Sequence, residues 1–81
     1  MAVAPTVMSE LRTKDNLIYT FKKIGYNLDD VIYDAIFNLA AHGNSMASVN
    51  SFRDALNDYL DAVETDNEHI WCARNRVPYN R

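Results

Sequence analysis

Apolar residues recur along most of this chain at steps of three and four, the spacing that places them on one face of an α-helix. The clearest run is Val49, Phe52, Leu56, Tyr59, Leu60 and Val63, with Arg53, Asp54, Asn57, Asp58, Asp61 and Glu64 on the opposite side. It predicts an amphipathic helix capped by Ser45 or Ser48, whose hydroxyls can accept from the free N–H groups of a first turn. A second run holds Leu28, Val31, Ile32, Ala35, Ile36, Leu39 and Ala40, and Tyr33 and Phe37 widen its apolar arc. An arc this wide predicts a helix covered on more than one side, either the centre of a bundle or core on one side and interface on the other. Asn27 is the candidate cap, Asp29 and Asp30 favour a helix N-terminus, and Tyr26 and Val31 have the spacing of a hydrophobic staple. His42 in the last turn and Gly43 after it mark the end, so the predicted span is 28–42.

The first run is Val7, Leu11, Ile18, Phe21 and Ile24. Two readings are open: one helix from about residue 6 to residue 24, or a break near 13–16 with Thr13 or Asp15 as a new cap. Gly25 supplies the stop in both. Near the other end, Thr65-Asp66-Asn67-Glu68 has the form of a capping box. It predicts a short helix to about Arg74 anchored by Ile70 and Trp71. The alternative is a continuation of the preceding helix, because Val63 and Ile70 keep a seven-residue step. Residues 1–5 read as a flexible arm, Pro78 as the end of regular structure and 77–81 as a tail. The expected fold is therefore all-α: one domain over 1–81, a small bundle of three main helices, mostly antiparallel, with a short fourth at the C-terminus. Two Gly and two Pro are too few turn residues for a β-sandwich or barrel.

Charge is uneven. Arg12, Lys14, Lys22 and Lys23 outweigh Glu10 and Asp15 before residue 27, Arg53 is the single base among the acids of 27–68, and Arg74, Arg76 and Arg81 make the end basic. The simplest expectation is that the basic ends pack beside the acidic middle and partly compensate it. Asp54, Asp58 and Asp61, joined by Glu68, nevertheless fall on one side of a helix. That side could face a basic partner and imitate a row of phosphates.

Candidate chemistry changes little. Cys72 is the sole cysteine, so no internal disulfide forms and a reducing compartment is expected. His69 and Cys72 could offer two metal ligands, but no second pair completes a zinc site. As nucleophile and base they lack an orienting third group, and Cys72 reads better as a buried thiol beside Trp71. Asp29, Asp30 and Asp34 lack the glycine turn and terminal glutamate of a calcium loop. No glycine-rich phosphate loop occurs. No catalytic residue, cofactor or metal ligand is assigned, and the chain is read as non-enzymatic. It has no signal-peptide pattern and no apolar run near the ~20 residues of a membrane span, so a cytoplasmic location is expected, a host cytoplasm included.

The aromatic residues point to partners instead. Tyr19, Tyr33, Phe37 and Tyr79 fall off the main stripes, and together with Trp71 they suggest a partner-facing surface. Tyr79, beside Arg76 and Arg81, reads as part of a docking strand. A helix-turn-helix reader is disfavoured, because its recognition helix would be the acidic one and phosphates would repel it. The function expected from the sequence is a small protein–protein interaction module: an adaptor, inhibitor or assembly subunit acting through helix faces and as a homo-oligomer. The class analogy is to small acidic bacteriophage proteins. The alternative is a nucleic-acid-associated regulator using Arg12, Lys22, Lys23, Arg74 and Arg76, or an acidic nucleic-acid mimic that blocks a DNA-binding protein.

Overall fold

The first apolar run breaks at Thr13. In the computed structural model, which describes residues 10–78, Thr13 is extended and its Oγ1 accepts from the Asn16 N–H at 3.2 Å. Strand β1 (Leu11–Thr13) precedes this cap and helix α1 (Lys14–Ile24) follows it. The restart resets the helical phase. Leu17, fully buried, and Phe21 four residues on now face the core, whereas Leu11 and Ile24 stand exposed. Val7 and the 1–5 arm lie outside the described residues, as do Tyr79 and Arg81 of the C-terminal tail. Gly25 ends α1 at φ +130°, a conformation that side chains rarely adopt, and the Tyr26 N–H returns to the Phe21 carbonyl.

Helix α2 (Asp30–Ala41) starts later than its pattern predicts, because Asp29 and not Asn27 takes the cap position. The staple does not form. Val31 is exposed, and the Tyr26 ring lies 6.0 Å from Phe21 instead. The backbone carbonyl of Tyr26 accepts from the Tyr33 hydroxyl, which draws the α1–α2 turn onto the centre of α2. At the other end His42 itself adopts the left-handed conformation (φ 53°), and Gly43 continues it at φ 87°.

The loop then enters strand β2 (Met46–Ser48), which pairs antiparallel with β1: Leu11 opposite Ser48, Arg12 opposite Ala47, Thr13 opposite Met46. This two-stranded ladder corrects the all-α expectation to a mostly helical fold with a small sheet. Of the two candidate caps, Ser48 starts helix α3 (Val49–Glu64), its Oγ accepting from the Ser51 N–H at 3.1 Å. Replacing Ser48 by alanine is expected to cost about 1 kcal/mol, read as a lower urea midpoint at unchanged slope. A loss under about 0.3 kcal/mol would mean that water serves the cap equally well.

Helix α4 (Glu68–Arg74) is separate from α3. The capping box does not form: Asn67 takes the cap position, the Thr65 hydroxyl donates to the Asp61 carbonyl, and Glu68 accepts from Tyr59. Helix α2 is the centre of the fold, covered by α1, by α3 and by β2. Phe52 of α3 lies 5.0 Å from Phe21 and stacks at 6.3 Å on Tyr33, so one aromatic cluster joins three helices. Tyr33 and Phe37 are buried in this core, which corrects the expectation that they face a partner. The side of α2 that carries Tyr33 and Phe37 is covered by its own chain.

Candidate functional site

The remaining candidate residues separate into groups. Tyr19 is exposed on α1 with the Lys23 ammonium 5.8 Å from its ring centre, and Tyr79 lies outside the described residues. Asp58, Asp61 and Trp71 come together around a shallow cleft of about 280 Å³ between the end of α3 and α4. Ala62, Ile70 and Arg74 share its lining. Asp54 faces a neighbouring depression with Leu39, His42 and Asp58.

The cleft exists because the chain turns sharply after α3. Asp66 takes a left-handed conformation (φ 65°), and α4 then folds back so that Trp71 meets Tyr59 edge-on at 4.7 Å. Trp71 is buried by this contact and forms part of the cleft lining. Ile70, its neighbour, stays 46% exposed, and Val63 is exposed on α3. Both residues lie on the seven-residue step that a single continuous helix would have directed to one face. The turn removes them from the core and leaves apolar surface beside the acids. Ile70 and Val63 were not singled out as surface residues from the sequence, and no local signal marks them as such.

Electrostatics distinguish the two acidic regions. Lys14 pairs with Asp34 and Lys22 with Asp30, each at 3.1 Å, so α1 compensates the acids of α2 as the charge pattern suggests. These pairs are exposed and each adds at most about 1 kcal/mol. Among the described residues, Asp54, Asp58, Asp61 and Glu64 of α3 form no ion pair.

Below the cleft, the Tyr59 hydroxyl donates to Glu68 at 2.7 Å. Burial, then the Glu68 hydrogen bond, raises the Tyr59 pKa far above the ordinary tyrosine value. Burial, then the Glu68 charge, likewise pushes the Cys72 thiol up. Cys72 is 1% exposed and protonated at neutral pH, the state of a packing thiol and not of a nucleophile. No group of three His, Cys, Asp or Glu side chains that could hold a metal occurs among the described residues.

The remaining feature is a repeated arrangement. In each half a short strand runs directly into a helix, and the two strands pair across the halves. In the second half, α2, the 42–48 connection and α3 form a helix–loop–helix. From Ala35 to Arg53 this stretch contains no Asp or Glu. A family model described as the EFHB C-terminal EF-hand domain matches residues 1–62, which takes in both strands, α1, α2 and most of α3. No curated protein and no solved structure matches the chain. The family match overturns the expectation of a bacteriophage protein acting as a homo-oligomer. Tyr33 and Phe37, which widen the apolar arc of α2, are buried within the chain, whereas Val31 and Leu39 of the same run are exposed.

Proposed function

The chain belongs to the EFHB C-terminal EF-hand domain family, and from that premise we propose that it is a non-enzymatic protein-binding module whose contact surface is the cleft between α3 and α4. EF-hand domains are helix–loop–helix units that regulate and bind. The observation that carries the reading is the pairing of charge and apolar surface in one place. Asp58 and Asp61 form no ion pair among the described residues, although Arg74 shares their cleft, and they stand beside exposed Ile70 and over Trp71. An apolar floor rimmed by two acids against the one base Arg74 fits a basic segment that presents an apolar side chain. The rim would speed encounter and fix orientation, and the floor would supply most of the affinity. Helix α4 lies past the residues matched by the family, so one wall of the cleft comes from outside the matched stretch.

The test is capture from nuclease-treated lysate by the wild-type chain and by the double variant Asp58→Lys, Asp61→Lys. Asp15→Lys serves as a control on α1, and circular dichroism confirms that all three proteins keep their helix content. The expected result is a stoichiometric protein partner held by wild type and control, with at least about tenfold less held by the double variant. Equal capture by all three proteins, no capture by any, or capture that nuclease abolishes would reject the reading.

A further inference from the structure

EF-hand loops hold calcium with oxygen ligands at the first, third, fifth, seventh, ninth and twelfth positions, the twelfth a bidentate glutamate, and need glycine at the sixth for a sharp turn. The donor set here does not fit. If the glycine requirement sets the register, Gly43 is sixth, Asn38 first, Ala40 third, His42 fifth and Val49 twelfth. If the best polar match sets it, His42 is third and Asn44 fifth, which puts Ala40 first, Ser45 sixth and Ser51 twelfth. No other register gains more than one carboxylate, because none occurs between Asp34 and Asp54. In the first half, Glu10 and Asp15 are the only carboxylates before α1 ends its first turn. Glu10 is already paired with Arg12 at 3.2 Å. Calcium affinity depends on ligand charge, and the loop offers only His, Asn and Ser side chains and no carboxylate.

We infer that this chain folds and keeps its helix–loop–helix pair in one state without calcium, the work of the ion being done by the loop's own contacts. The left-handed pair His42 and Gly43 turns the chain, and the Asn44 N–H donates to the Ala41 carbonyl at 3.0 Å. Ala47 is buried in the strand ladder, and Ser48 caps α3. In calcium sensors the ion opens the helix pair and exposes an apolar groove. Here the corresponding apolar residues are held inside: Leu17, Tyr33 and Phe52 form one core with no carboxylate loop to release it. The module is a constitutive scaffold and not a calcium switch. This inference does not depend on the α3–α4 cleft.

The test uses the full chain, stripped of metal with EGTA and then measured with and without about 1 mM calcium chloride. A sensor site with a dissociation constant near 10⁻⁵ M would be filled at about a hundredfold excess under these conditions, and its melting temperature would rise by several degrees. The expected result is a melting temperature unchanged within about one degree, an identical Trp71 emission spectrum, and no calcium retained in equilibrium dialysis. A rise of several degrees, a calcium-dependent shift in emission, or one retained equivalent of calcium would overturn the inference. Partner capture by the Asp58→Lys, Asp61→Lys variant has no bearing on these readouts, so the two readings fail separately.

Discussion

Replacing Phe52 by alanine is expected to leave a large part of the protein unfolded at physiological temperature. Phe52 is fully buried, lies 5.0 Å from Phe21 of α1 and stacks at 6.3 Å on Tyr33 of α2. Its ring is the point where three helices meet, so the cavity left behind borders groups that cannot all move inward. Truncations of this kind cost about 3–5 kcal/mol. A domain holds only roughly 0.05–0.15 kcal/mol per residue in all, so in a chain this short the loss is a large fraction of the total. Urea unfolding followed by circular dichroism measures it directly. Phe52→Leu, which keeps most of the volume, should cost no more than about 1.5 kcal/mol. An alanine variant that loses less than that would show that the site collapses freely and that the aromatic cluster is not the centre of the fold.

Trp71→Ala is expected to act locally and differently. Helix α4 spans only Glu68–Arg74, too short to persist by itself in water. It is held by Trp71 against Tyr59, by buried Cys72 and by Val77 beyond its end. Removing the indole deletes the largest of these contacts, worth about 3 kcal/mol or more if α4 stayed in place. Detachment of α4 limits that cost. The expected result is loss of hydrogen-exchange protection at the amides of Trp71 and Asn75, with α1, α2 and α3 still protected. Tyr59→Phe is the matched comparison, because it keeps the ring contact and removes the hydroxyl bond to Glu68. It should cost about 1 kcal/mol and leave α4 docked. Uniform loss of protection throughout the chain in Trp71→Ala would instead make α4 part of the single cooperative core. Because α4 forms one wall of the cleft, the same variant should also lose the proposed partner.

Much of this architecture was legible in the order of residues. The α3 stripe predicts its helix closely, Ser48 was one of two named caps, and Gly25 ends α1 as expected. Phe21, Phe52 and Tyr59 are core residues in the pattern and in the structure. These features are local: an apolar repeat, a hydroxyl before a first turn, a residue without a Cβ at positive φ. The poverty of carboxylates around 42–48 is equally plain from the sequence, although its meaning depends on knowing that an EF-hand loop belongs there.

What the tertiary structure decided is which neighbour covers each apolar face. The sheet joining β1 to β2 was not legible, because strands of three residues are too short to show an alternating pattern and their partners lie far apart in the chain. Leu17 became core only because the Thr13 break rotates α1. Tyr33 and Phe37 turned inward because α1, α3 and β2 surround α2. Val63 and Ile70 were left outside because the turn at Asp66 carries α4 away from the axis of α3. The acidic row of α3 could be read from spacing, but the cleft beside it could not. Periodicity determines that a helix has an apolar face, whereas only the packing of distant segments determines whether that face ends in the core or in solvent.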